Sequence, residues 1–315
     1  MKASNLIEFY TTFATEAKCA EFLAEQRWGK EIICPKCGTI GIKAYKLASG
    51  RLKCATCRQP FTVRMGSVFE DSKIPLQKWF FAIYLHTSLK KGVSSIQLSK
   101  YLGVTQKTSW FMLQRIRYVF ANGTFEKLTD FVEVDETYIG GRESNKHAGK
   151  RIRSKTGKGA QGFGSKNIKT PVVGMVQRKG RIHAIVTSDT GSRTLMTLIR
   201  KHVDISAIVY TDEHMPYRTL PKIGYQHQAV NHGVKEFVNG MASTNTAESF
   251  WSHLKRGIDG IYHHVSPKHL QKYCDEYSYR WNTRDMTDGE RFEDWFGSIN
   301  GKRLRYKSLT RNTNS

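Results

Sequence analysis

Nowhere in the 315 residues do about 18 apolar residues run together, so no segment has the length and hydrophobicity of a membrane-spanning helix. The opening stretch, MKASNLIEFYTTFATEAKCAEFLAEQRW, lacks the charged start and apolar run of a secretory signal. Its scattered charges read as one amphipathic helix. Cysteine is scarce. There are six, four of them in two tight pairs, which excludes a disulfide framework and fits a reducing, cytoplasmic setting. Acid is also short: 27 Asp and Glu stand against 50 Lys and Arg, a net charge of +23. Such a surface attracts polyanions, and DNA or RNA is the commonest partner. A basic protein with no nucleic-acid role is the bland alternative, to be weighed against the motifs. Hydrophobic residues at 39% and aromatics at 11% are enough for cores in two or three small domains.

What is present falls into blocks. Residues 1–30 are expected as a helix and its exit. Residues 31–66 are short, β-prone and carry the cysteine pairs. From 72 to 122 the pattern turns helical: Pro75 can open a helix, and Leu76, Trp79, Phe80, Ile83 and Tyr84 recur at spacings of three and four. At Phe131 the periodicity becomes two, in FVEVDETYIGG, which predicts a strand. Residues 142–169 are basic, glycine-rich and have little to bury. They read as an inserted loop, either plainly solvated or a DNA-contacting arm. TPVVGMVQRKG and RIHAIVTSD predict a hairpin around Lys179-Gly180. A helix (TLMTLIRKHV), a strand (AIVYTD), then helices in TAESFWSHLKRGI and LQKYCDEYSYRWNTR follow. Strands, a crossover helix, another strand and long helices imply an α/β core.

Cys34-Pro-Lys-Cys37 and Cys54-Ala-Thr-Cys57 are separated by sixteen residues. Each pair makes a turn that presents two thiolates to one side, and two such turns close a tetrahedral site of the kind zinc prefers. Gly38 suits the tight knuckle. A redox pair competes, but two pairs at this gap favour structural Zn²⁺. Cys19 and Cys274 are left as free thiols. Further on, GVSSIQLSKYLGVTQKTSWFMLQRIRYVF has the form of a helix, a turn at Gly103 and a second helix capped by Thr105. Ile96, Leu98 and Leu102 are expected against Val104, Trp110, Leu113 and Ile116. The second helix opens with Gln106, Lys107, Thr108 and Ser109, residue types that contact bases and phosphates, and Arg115 follows. An ordinary helical hairpin is the alternative.

Three carboxylates stand out. Asp135 and Asp212 lie near the ends of the apolar strands VEVDE and AIVYTDE, where an α/β sheet builds its sites. Glu248 lies 35 residues beyond the second, in the helix STNTAESFWSHLKRG. Together three such groups could hold two divalent cations about 4 Å apart, with hard, oxygen-liking Mg²⁺ (or Mn²⁺) the natural choice. Lys255, seven residues after Glu248, shares its helical face, and Arg256 adjoins it. Glu136 and Glu213 are the competing ligands, although strand alternation points them away from the aspartates.

The order of these motifs resembles the bacterial insertion-sequence transposases of the DDE type (the ISXO-type group). It runs CPKCG…LKCATCRQPFTV, MGSVFEDSKIPLQKWF, the helix-turn-helix, VDETYIGG, YTDE, VNH and NTAESFWSHLKRGIDGIYHHVSPKHLQKY. The likeness spans about residues 5 to 297. It implies a zinc ribbon at 31–66 and a helix-turn-helix domain at 72–122. An RNase H-like catalytic core follows at 128–297, a mixed sheet flanked by helices, with a polar tail at 298–315. It implies Asp135 on the first core strand, Asp212 on the fourth and Glu248 on a following helix, with Asn245 one turn earlier as the alternative third ligand. Lys255 matches the basic residue expected two turns after the acid. The activity implied is metal-dependent hydrolysis at transposon ends, then attack of the freed 3′-OH on target DNA. The partners implied are terminal inverted repeats and target duplex, with a homodimer or higher oligomer on DNA. A catalytically silent DNA-binding regulator and another RNase H-like nuclease are the alternatives.

Overall fold

The computed structural model describes residues 5–48, 50–121, 126–141, 169–230 and 244–311. The basic loop lies outside the described residues except for Lys169, as do Asn231 and His232 of the VNH motif. The chain divides into two units. Unit 1 is Met1–Gly123 with Asp285–Ser315, and unit 2 is Thr124–Arg284.

Unit 1 begins with two helices where one was expected, α1 (Leu6–Thr12) and α2 (Glu16–Trp28). The break has a local cause. Asn5 caps α1 and Thr15 caps α2 through their side-chain oxygens, and Phe13 leaves helical geometry between them to bury its ring. Strands β1 (Ala44–Lys46), β2 (Leu52–Cys54) and β3 (Pro60–Phe61) form a small antiparallel sheet that carries the cysteine turns. Helices α3 (Leu76–Ser88), α4 (Ser95–Leu102) and α5 (Gln106–Phe120) follow. Pro75 opens α3 but brings no cap. Glu16 supplies it, its carboxylate accepting from the amides of Leu76 (3.0 Å) and Gln77 (3.2 Å). Gly103 turns the chain between α4 and α5 in the left-handed conformation, φ 59° and ψ 47°, which a glycine adopts without penalty.

The core of unit 1 is aromatic. Phe9, Phe13, Phe22, Phe69, Trp79 and Phe80 are all buried there. The same core contains Phe292, Trp295 and Phe296, from a helix, α9 (Asp288–Gly297), that the sequence pattern left unrecognised. The motif order predicts a catalytic domain to 297 and a polar tail over 298–315. In the structure residues from Asp285 onward belong to unit 1, because their apolar side chains complete its core. The expected helix-turn-helix core also holds in part. Leu98, Leu102, Leu113 and Ile116 are buried, whereas Ile96 is 61% exposed.

Unit 2 is a five-stranded sheet in the order β6-β5-β4-β7-β8. Its strands are β4 (Phe131–Ile139), β5 (Thr170–Gln177), β6 (Ile182–Val186), β7 (Ile208–Asp212) and β8 (Gln226–Val230). β4, β5 and β6 are antiparallel neighbours, with the β5–β6 turn at Lys179 as expected, and β7 and β8 run parallel to β4. A first strand at the centre, a meander on one side and parallel strands on the other make the mixed RNase H-like sheet that the motif order implied. Alternation along the strands supplies two cores. Val132, Val134, Val173 and Met175 pack against α6 (Ser192–His202). Val172, Val176 and Ile182 pack on the other face against α7 (Asn245–Gly257) and α8 (Pro267–Asn282).

The exposed edge of β6 is closed by side chains of α8. Asn282 bonds both the amide and the carbonyl of Ile182, and Gln271 bonds the amide of Val186 and the carbonyl of Ala184. Main-chain groups that would otherwise pair with another strand are thereby satisfied. No helix among the described residues is long and apolar enough to cross a membrane.

Candidate functional site

The site begins where β4 and β7 part. Their parallel pairing ends at Glu133↔Tyr210, so Asp135 and Asp212 stand two residues past it on each strand, on the same face. Beyond that point no ladder holds the strands together, and side chains from both can converge on the gap. Carboxylate oxygens of Asp135, Asp212 and Glu136 lie within 4.8 Å of one another. Alternation along β4 argued that Glu136 would point away. The structure corrects this: at the end of a pairing a side chain from the far face can still reach the gap. Glu213 is exposed and lies outside the cluster.

Each acid has fixed neighbours. Asp135 Oδ1 accepts from the Glu136 amide at 2.8 Å, and Asp135 Oδ2 from the Trp251 indole at 2.9 Å. Asp212 Oδ1 accepts from the His214 amide at 3.0 Å. Burial is the main cause that lifts the Asp135 carboxyl to about 6, helped by the charges of Asp212 and Glu248 and opposed by its two hydrogen bonds. Burial likewise pushes Glu136 to about 8, with Asp212 and Asp135 adding to the rise and the Tyr217 hydroxyl opposing it. Crowded, partly desolvated carboxylates of this kind are poised for a cation, and their hard oxygens match a divalent metal such as magnesium.

Helix α7 brings the rest. Glu248 occupies its first turn, exposed, close enough for its charge to raise Asp135 but outside the three-acid cluster. Lys255 and Arg256 are exposed two turns later, and Asn245 is exposed at the helix start. Two features absent from the sequence reasoning set the position of this helix. The first is Glu133, fully buried on β4. Its carboxylate accepts from the amides of Thr246 (2.8 Å) and Ala247 (3.0 Å), the Thr246 hydroxyl (3.0 Å) and Arg178 Nε (2.8 Å). It therefore caps α7, which has no side-chain cap of its own, and places a negative charge at its positive end. The second is Gly174 on β5, the register partner of Asp135. A Cβ there would meet Trp251 at 2.5 Å, so only glycine lets the indole lie over the strand and reach Asp135.

Glu133→Ala leaves the first amides of α7 without their acceptor and breaks a buried ion pair. Unit 2 is expected to lose about 3–5 kcal/mol in denaturant unfolding, and Glu133→Gln, which keeps an acceptor oxygen, distinctly less. A loss in Glu133→Ala below about 1 kcal/mol would show that α7 is held by packing alone.

In unit 1 the four expected cysteines converge. Sγ of Cys34 lies 3.8 Å from that of Cys57, and Sγ of Cys37 lies 3.9 Å from that of Cys54. All four sulfurs are within 4.8 Å of one another. A tetrahedral zinc with bonds of about 2.3 Å requires sulfurs about 3.8 Å apart, so the thiols fit this ion. The two knuckles match in detail. The Gly38 amide donates to the Cys34 carbonyl and the Arg58 amide to that of Cys54, with φ of 73° and 59°. Cys19 and Cys274 are buried free thiols, as expected.

The first turn of α5 matches its expected role only in part. Gln106 and Lys107 are exposed, and Thr108 is half-buried. Ser109 is fully buried, and its hydroxyl donates to the Ser95 carbonyl at 2.6 Å, which ties α5 to α4. Arg115 is also buried. Its guanidinium donates to the carbonyls of Leu304, Val68 and Glu70. Neither of these two faces outward, so both are corrected from DNA contacts to packing groups.

The ISXO2-like transposase domain matches residues 127–282, and the transposase zinc-ribbon domain matches residues 14–60. An uncharacterized protein in transposable element ISH50 of Halobacterium salinarum is 30% identical over 256 residues, 78% of this chain and 84% of its own length. An uncharacterized transposase-like protein of Haemophilus influenzae is 28% identical over 108 residues, 34% of this chain and 86% of that protein. Two solved structures are similar at low identity. A chain of a simian T-cell lymphotropic virus intasome has a TM-score of 0.27 at 12% identity, over 57% of this chain and 63% of its own. The Mos1 strand transfer complex gives a TM-score of 0.22 at 14% identity, over 62% and 73%. With the catalytic and zinc-ribbon domains both matched, and a relative 30% identical along most of its length, the chain belongs to the ISXO2-like, IS1595-type family of DDE transposases.

Proposed function

We propose that this insertion-sequence transposase binds the ends of its element, hydrolyses a phosphodiester there to free a 3′-OH, and joins that end to target DNA. The observation that supports the reading is the convergence of Asp135, Glu136 and Asp212 at the parting of β4 and β7, with Glu248 on the first turn of α7 near enough for its charge to raise Asp135. Asp135, Asp212 and Glu248 would hold Mg²⁺ or Mn²⁺, with Glu136 as an additional oxygen donor. Such ions, when bound, polarise the scissile phosphate and its attacking oxygen. Trp251 keeps the Asp135 carboxylate turned into the gap, and Lys255 meets a phosphate next to the scissile one. Water attacks first and is replaced in the second step by the freed 3′-OH. Each step is an in-line displacement at phosphorus, with no covalent enzyme intermediate. Gln106, Lys107 and Thr108 of α5 contact the end duplex, and Arg256 contacts the backbone near the catalytic site. Two ends must be held together, so a dimer or larger assembly on DNA is proposed.

The test is a strand-transfer assay with purified protein, a pre-cleaved end duplex and a supercoiled plasmid, in Mg²⁺ or EDTA. Joined product is expected in Mg²⁺ alone. It is expected to vanish in Glu248→Ala and to persist in Asn245→Ala. The reverse outcome moves the third ligand to Asn245. Loss in Glu136→Gln with retention in Glu248→Ala moves it to the strand. End binding without joining in either Mg²⁺ or Mn²⁺ would identify a catalytically silent regulator.

A further inference from the structure

Residues 302–311, expected as a polar tail, run antiparallel along one stripe of α5. Lys302 Nζ donates to the carbonyls of Val119 (2.6 Å) and Ala121 near the helix end. The Leu304 carbonyl accepts from Arg115 at 3.1 Å. The Tyr306 ring lies 5.1 Å from the Lys107 ammonium and packs edge-on to Phe111 at 5.4 Å. The α5 partners Lys107, Phe111, Arg115 and Val119 recur every fourth residue and so form one stripe of the helix. Leu304 and Leu309 are buried, and the short helix α10 (Tyr306–Thr310) follows directly. The segment is therefore a fitted strap that ends beside the turn where a helix-turn-helix meets bases. Its Arg305 and Lys307 are exposed, as is Lys107. A strap that shields a DNA-reading helix would compete best by carrying acid. This one carries base, and charge complementarity selects phosphate as its partner.

We propose that residues 302–311 are a phosphate-contacting arm of the DNA-binding face, in which Tyr306 fixes Lys107 toward the duplex and Arg305 and Lys307 neutralise backbone phosphates beside it. The proposal rests on the reading of unit 1 as the module that binds transposon ends. The test measures equilibrium binding of the full chain and its Arg305→Gln/Lys307→Gln variant over a salt series. The probes are a duplex carrying the element's terminal repeat and a scrambled duplex of equal length. The variant is expected to bind both more weakly, with the slope of log affinity against log salt shallower by about 2. Tyr306→Leu is expected to reduce discrimination between the two duplexes, and Tyr306→Phe, which keeps the ring under Lys107, to retain it. A wild-type slope in the double variant overturns the proposal. Tighter binding by that variant also overturns it, since that is the behaviour of a cover. If the wild type does not discriminate the repeat, the end-binding reading fails, while the slope on the scrambled duplex still decides the arm.

Discussion

Asp135→Asn is expected to lower strand transfer by roughly 10³-fold or more while leaving affinity for end duplex within about twofold. The substitution preserves the size of the side chain and one oxygen but removes the charge that would help to hold a cation. The groups proposed to contact DNA, Gln106, Lys107 and Thr108 on α5 and Lys255 and Arg256 on α7, are all left in place, so binding has no reason to change. A structural explanation of the loss can be separated from a catalytic one. The Asp135 carboxyl is largely buried and crowded by Asp212 and Glu248, which makes its ionised form unfavourable in the metal-free protein. Removing that charge relieves the crowding, while the new amide turns an NH2 toward either the Glu136 amide or the Trp251 indole, so the metal-free melting temperature is expected to change little. Wild-type transfer by Asp135→Asn would remove Asp135 from the site. A lost activity accompanied by a markedly lower melting temperature would reassign it to folding. Asp212→Asn is expected to lose strand transfer to a similar extent.

Stripping the metal from the four-cysteine site is expected to have the largest effect on unit 1. Zinc ribbons draw most of their folding free energy from the ion, about 10–16 kcal/mol in small zinc-dependent peptides. Here the sheet is three strands of two or three residues each, too little to stand alone. Cys34 and Cys54 share one apolar cluster with Trp28 and Phe61, so loss of the site reaches the end of α2. Strong chelation, or Cys54→Ser, is expected to release one zinc per chain, expose residues 31–66 to protease and weaken end binding at least tenfold. The sheet of unit 2 is expected to keep its protection in hydrogen exchange. Unchanged DNA affinity after complete zinc release would exclude the ribbon from end recognition.

The parts legible in the sequence are those whose signal is local. Alternation located β4, strand-like runs located β5, β6 and β7, spacing of three and four located α3, and cysteine spacing named the zinc ligands. Strand β8 escaped because it is an edge strand with one buried residue in five, so its pattern carries no alternation of apolar side chains. Helix α9 did carry a signal. Thr287 and Glu290 form a reciprocal capping box, and Phe292, Trp295 and Phe296 follow at helical spacing. What no local rule could tell was that these rings fill the core built by α1, α2 and α3. Arg115 and Ser109 illustrate the same limit from the polar side: residue type suggests DNA, but burial is decided by what packs above. Glu133 was within reach. An ionisable residue between two core valines must find partners, and its hydrogen bonds to the start of α7 are those partners.

The connectivity of unit 1 sets a timetable for synthesis. Its aromatic core draws Phe9, Phe13 and Phe22 from the first helices and Phe292, Trp295 and Phe296 from a helix that follows the whole of unit 2 in sequence. At about 5–20 residues per second, roughly 10–35 s of translation separate Gly123 from the last of these rings. A nascent chain therefore carries a finished unit 2 sheet before it carries a finished unit 1 core. Messages truncated ahead of residue 285 yield products that lack part of that core, so early-terminated chains are expected to leave unit 1 poorly folded. Unit 1 is thus the last part of the molecule to be completed, although its first helices are the first to be made.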